Sequence, residues 1–176
     1  MRIVKGILVG VAGLVCVILI VGVLLPSKYQ VSRTTLVNAP ADRVYALVAS
    51  PREWTKWSVW NQRDPAMKIA YSGPPSGQGA KWAWESKSEG TGSMEFTAAE
   101  PRKRIEYVLS FPDVGMRSSG AMTLIPEGAG TRVTWAMAGD VGGNPLMRYF
   151  AALMDRMVGP DLEGGLANLK ALAEKP

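Results

Sequence analysis

GSMEFTAAEPRKRIEYVLSF, residues 92–111, alternates twice and turns once. In an extended chain Met94 and Phe96 fall on one side, with Glu95 and Thr97 on the other. Beyond Pro101, Ile105, Tyr107, Leu109 and Phe111 repeat the pattern against Arg104 and Glu106. A period of two, rich in aromatic and branched residues, marks a strand that is buried on one face only. Glu100 and Pro101 between the runs form a turn composition. The stretch therefore predicts an antiparallel hairpin with one apolar and one wet face.

The same punctuation extends outward in both directions. MKIAYSG (67–73), AKWAWES (80–86), RSSGAMTLIPE (117–127) and GTRVTWAMAG (130–139) alternate, separated by segments rich in Gly, Pro and Asp. Parity places Trp82, Trp84, Met122, Leu124, Val133, Trp135 and Met137 on the apolar side. Upstream, YQVSRTTLV (29–37) reads as a further strand. NAPADRVYALVAS (38–50) reads as a short helix carrying Val44, Leu47 and Val48 on one face. Pro51 opens a second short helix with the triplet WTKWSVW, Trp54 to Trp60. Downstream the period changes. Asn144 and Pro145 form a cap and first turn, and Leu146, Phe150, Leu153 and Met157 recur at helical spacing. After Gly159–Pro160 the stripe resumes at Leu162, Leu166 and Leu169, predicting one long helix kinked near Pro160.

That helix is the only long apolar surface left to cover the sheet. It covers a swath of roughly 10 Å, whereas six or seven strands spaced about 4.8 Å apart span about 30 Å. The surplus is either plugged by large side chains, giving a solid core, or left as an apolar pocket. The pocket reading assigns its wall to Trp82, Trp84, Phe96, Tyr107, Leu109, Trp135 and Met137 of the strands, with Phe150 and Met154 of the helix. A one-residue slip in any strand would invert its contribution.

Residues 6–25, GILVGVAGLVCVILIVGVLL, carry no charge and span roughly 30 Å as a helix. Arg2 and Lys5 precede them and Pro26 follows. A cleaved secretion signal shares these features, but the run is long for one and no A-x-A-like site follows it. The reading favoured is a single-pass membrane anchor over residues 1–27 and a domain over 28–176. The basic N-terminus inside the cell then places the domain on the extracytoplasmic side. The sole cysteine, Cys16, lies in the apolar run, and the chain has no histidine. Ser–His and Cys–His nucleophiles, histidine metal sites and zinc thiolate sites are thereby removed. We expect no metal and no cofactor. The net charge of +5 is dispersed, with PRKR (101–104) its only basic cluster, so no nucleic-acid partner is expected. No catalytic constellation is recognisable. Tyr107 faces inward without an evident partner base, and Asp64, Asp113 and Asp140 lie in loops near Pro or Gly.

Strand, two short helices, meander and long terminal helix, in that order, resemble the helix-grip fold of the START-like (SRPBCC) superfamily. The likeness is to its polyketide cyclase/dehydrase and lipid-transport branch, in membrane-anchored bacterial form. The segments carrying it are VNAPADRVYALVAS (37–50) with WTKWSVW, YSGPPSGQGAKWAWES (71–86), GSMEFTAAEPRKRIEYVLSF, GTRVTWAMAG and GLANLKAL (165–172). The resemblance implies an α+β fold, a curved antiparallel sheet of about seven strands around the C-terminal helix, with a hydrophobic cavity between them. It also implies a hydrophobic small molecule or lipid as partner, and that Trp54 and Trp57 pack beside the cavity as structure. Trp60, leading into the loop NQRDPAM, is expected to be the exposed member. Two other functions stay open: a protein-interaction scaffold with a solid core and an unknown partner, and a cyclase- or dehydratase-like enzyme.

Overall fold

Residues 2–175 are described by a computed structural model. They form, in chain order, α1 (Arg2–Leu24), β1 (Lys28–Val37), α2 (Ala41–Val48), α3 (Pro51–Trp57), α4 (Val59–Arg63), β2 (Lys68–Ser72), β3 (Lys81–Ser86), β4 (Gly90–Glu100) and β5 (Arg104–Phe111). A single 3₁₀ turn, Pro112–Val114, leads to β6 (Met116–Glu127), β7 (Gly130–Asp140) and α5 (Pro145–Ala173). The strands make one antiparallel sheet in the order β1-β7-β6-β5-β4-β3-β2. The meander β2 to β7 is joined by short connections, the longest being residues 73–80 between β2 and β3. β1 returns to pair with β7 from Lys28 opposite Asp140 to Val37 opposite Thr131. The α+β architecture expected from the sequence, seven strands around a long terminal helix, is the one observed.

Residues 92–111 pair as a hairpin, Met94 opposite Leu109 and Phe96 opposite Tyr107. One feature was not legible. Ala98, not Thr97, stands opposite Glu106, so Thr97 is a bulge that bends β4. The face assignment survives it, because the bulge lies beyond Met94 and Phe96. Phe96, Ile105, Tyr107, Met122, Val133 and Trp135 are all buried.

The single long helix expected at the C-terminus is observed: α5 runs for 29 residues through Gly159–Pro160. Gly159 serves a close approach: a Cβ there would collide with the Arg33 guanidinium, which bonds Asp155 at 2.7 Å and Glu163 at 2.5 Å. The glycine thus lets β1 be pinned to α5. One expectation about this helix is corrected: the apolar stripe is not one continuous buried line. Leu162, Leu166 and Leu169 are buried, but Leu146, Phe150, Leu153 and Met157 remain about half exposed. Ala151 and Met154 are buried in their place, because the first half of α5 is apolar over more than one line of side chains.

The sheet also has a second cover. Val44 and Val48 of α2, with Trp54 and Trp57 of α3, are buried in the core. The indole N–H of Trp54 donates to the Val48 carbonyl at 2.8 Å, and that of Trp57 to the Leu47 carbonyl at 3.2 Å. These are carbonyls of the last turn of α2, which have no partner within their own helix. The tryptophan triplet does not lie on one helix: Ser58 divides it, leaving Trp60 on α4.

α1 stands largely outside this body. Ile3–Leu24 is long and apolar enough to cross a bilayer, a property that a secretion signal shares. Its last turns pack on the start of α5, where the Tyr149 hydroxyl donates to the Ile18 carbonyl at 2.7 Å.

Candidate ligand cavity

The interior is not solid. Between the sheet, α3, α4 and the first half of α5 lies a cavity of about 640 Å³. That is within the range of small-molecule sites and roughly four times the ~150 Å³ void that admits benzene. Its existence follows from the surplus of sheet over helix. α5 lies along the edge strand β1, and the bent far strands stand clear of it.

Eight of the nine residues expected at the wall line it: Trp82, Trp84, Tyr107, Leu109, Trp135, Met137, Phe150 and Met154. Phe96 does not. It is fully buried behind Trp82, ring centres 5.4 Å apart, and also packs on Trp54. Parity assigns a face, whereas depth behind a neighbour on a bent sheet depends on the bulge. Trp54 both packs in the core and reaches the wall. Trp60 is the most exposed of the triplet, yet it turns inward, lining the cavity with its ring 5.7 Å from that of Trp135.

Residues the sequence did not single out supply the polar part. Tyr29 of β1 and Ser118 of β6 are both buried, and their hydroxyls meet at 2.5 Å on the wall. Nearby the Trp135 indole N–H donates to the Tyr107 hydroxyl at 2.7 Å. Both tyrosine rings lie over glycines of the neighbouring strand, Tyr107 opposite Gly120 and Tyr29 opposite Gly139. A Cβ at either glycine would overlap the ring. These two glycines, each paired with a tyrosine across the ladder, were a signal available from the sequence once the register was known.

Electrostatically the cavity is close to neutral. Among the described residues no lysine or arginine lines it, and the one carboxylate on the wall, Glu89, is held by Arg63 at 3.2 Å. Burial pushes the Tyr107 hydroxyl well above the ordinary tyrosine range. The Trp135 hydrogen bond opposes this and nearby Tyr29 adds to it. The phenol therefore stays protonated and keeps one proton to donate into the void.

A pH dependence follows. The folded state holds this proton at pH values where the unfolded chain, with an ordinary tyrosine near 10, releases it. The contribution of Tyr107 to stability is thus constant below about pH 10. Above it, about 1.4 kcal/mol is lost per pH unit. Denaturant titrations between pH 9 and 11.5 are expected to show that slope in the native chain. They should show it reduced by one proton's worth in Tyr107→Phe, which also loses about 1–3 kcal/mol at neutral pH by stranding the Trp135 N–H. Equal slopes in the two proteins would remove this assignment.

Comparison with known proteins gives a consistent placement. The profile of the polyketide cyclase / dehydrase and lipid transport family matches residues 28–174. No curated protein matches the chain. Among solved structures, the crystal structure of protein CV1439 from Chromobacterium violaceum is similar at a TM-score of 0.62 and 19% identity, covering 84% of this chain and 98% of that one. The di-domain ARO/CYC BexL from the BE-7585A biosynthetic pathway is similar at 0.61 and 17%, covering 85% of this chain and 51% of that one. Ara h 8.0201 shares the fold at 0.56 and 11%, covering 83% and 97%.

Proposed function

Because this chain belongs to the polyketide cyclase/dehydrase and lipid transport family, we propose that it binds one neutral, mostly hydrophobic small molecule of lipid type in the cavity beneath α5. The observation that carries the reading is the void itself, about 640 Å³ walled by tryptophans, methionines and leucine, with uncharged hydroxyls as its buried polar groups. Each buried methylene contributes about 0.8 kcal/mol, so a chain of about ten carbons gains about 8 kcal/mol before the cost of association. Apolar contact is then the main favourable contribution, and binding needs no charged contact. Tyr107, still protonated, is the donor for a carbonyl, ether or hydroxyl oxygen of the ligand. Retention suits this site better than turnover: its hydroxyls contact one another and an indole, and Glu89 is engaged by Arg63.

In this reading α1 is an uncleaved anchor, residues 1–27, and the domain from 28 onward lies on the extracytoplasmic side. The packing of α1 on α5 supports retention of the segment, since Arg148 also donates to the carbonyls of Val23 at 2.5 Å and Leu25 at 3.2 Å. Tethering would hold the cavity within nanometres of its ligand pool. The test is to express the chain from residue 27 onward, extract it with organic solvent and identify the released molecules by mass spectrometry. A neutral lipid-like molecule at near one equivalent is the expected result. A protein that carries nothing and takes up nothing from vesicles would overturn the proposal.

A further inference from the structure

The cavity has a mouth, and the residues around it are oily on the outside as well as the inside. Leu146, Phe150, Leu153 and Met157 are 46% to 53% exposed, and Val114, in the 3₁₀ turn, is 65% exposed. The spacing of four, three and four makes the α5 residues one stripe about 16 Å long. Phe150, Met157 and Val114 also line the cavity, so stripe and mouth share side chains.

The place of α1 says what covers that stripe. Gly22 lies against Pro145, where a Cβ would strike the proline carbonyl, and Tyr149 reaches Ile18. Ile18 is six residues before the end of α1, about 9 Å along its axis. The first turns of α5 therefore run beside the last turns of the apolar helix, in the opposite direction. Leu146, Phe150 and Leu153 project within roughly a quarter turn of Tyr149. A bilayer that holds α1 must meet these residues too. Arg156, exposed, adjoins Met157 of the wall, and Arg148 sits at the end of α1. Cations and a tyrosine beside an apolar stripe match the headgroup layer.

We infer that the first three turns of α5 seat on an anionic bilayer beside α1, so that the cavity mouth opens into lipid rather than water. This rests on reading α1 as an anchor and the cavity as a ligand site. A membrane-dissolved molecule would then enter sideways past Phe150, Met157 and Val114 without crossing water.

The test uses the full chain with Cys16→Ser, carrying one environment-sensitive nitrobenzoxadiazole label at Leu146→Cys or Leu153→Cys, neither of which lines the cavity. Arg132→Cys on the wet face of β7 is the reference. The proteins are placed in phosphatidylcholine–phosphatidylglycerol vesicles containing nitroxide-labelled phosphatidylcholine. Labels at 146 and 153 are expected to be quenched by the lipid nitroxide at least about threefold more than the label at 132, and less by aqueous iodide. Iodide quenching equal to that at 132 would overturn the inference. So would shielding from both quenchers with a cross-linkable dimer, which would assign the stripe to a second copy. The depth measurement needs no ligand. Lipid-quenched labels on a protein that retains nothing would sink the ligand reading alone, and water-quenched labels on a loaded protein would sink this one alone.

Discussion

Trp57→Ala is expected to lower the stability of the domain by about 4 kcal/mol, the middle of the range for truncating a buried aromatic. Trp57 is fully buried, its ring centre 4.5 Å from that of Trp54 and 5.3 Å from that of Trp135. α5 comes close to these indoles at Gly165, and Asn168 donates to the Trp57 carbonyl at 3.0 Å. Removing the indole therefore opens a hole where three elements meet and leaves the Leu47 carbonyl without its donor. For a domain of this size the loss corresponds to a melting temperature lower by about 8–16 °C. Trp60→Ala, at the partly buried edge of the cavity, is expected to cost about 1 kcal/mol. Urea denaturation of both variants checks the contrast. A loss under about 1 kcal/mol for Trp57 would show that the triplet is surface and not the joint between α2, α3 and α5.

The second large effect is on occupancy. In Leu109→Trp combined with Met137→Trp, two indoles enter the void from β5 and β7, on either side of β6. Overpacking a filled core costs about 1–3 kcal/mol. Here the added rings meet empty space, so stability is expected to change by less than about 1 kcal/mol. Bound ligand is expected to fall at least tenfold, a change of about 1.4 kcal/mol or more in binding. Undiminished ligand in a correctly folded double variant would place the molecule somewhere other than this cavity.

The sequence made the sheet legible because its signal is local. Alternation in 92–111 and in the flanking strands assigns faces residue by residue, and burial of Ile105, Tyr107, Met122 and Trp135 follows that assignment. The cavity was legible only as an imbalance between a wide sheet and one helix. Whether large side chains filled the difference depended on the Thr97 bulge and on the seat of α5 along β1, neither of which has a local signature. Phe96 shows the limit, inward by parity yet behind Trp82. Tyr29 and Ser118 escaped notice for a related reason. They lie 89 positions apart in the chain, and nothing short of the β1–β7–β6 register brings their hydroxyls together. The exposed stripe of α5 read as core because periodicity reports that a helix has an apolar side, not what that side meets.

The account stands on a neutral, oily cavity that keeps a single phenolic proton for its guest. Calorimetric titration of the domain with dodecanol and with dodecanoate at pH 8 tests this most directly, since the two probes differ only in their heads. Dodecanol is expected to bind with a negative heat-capacity change, the mark of apolar burial. Dodecanoate is expected to bind at least tenfold more weakly, because its charge would be buried without a cation. Equal or preferential binding of the carboxylate, or no heat from either probe, would contradict the account.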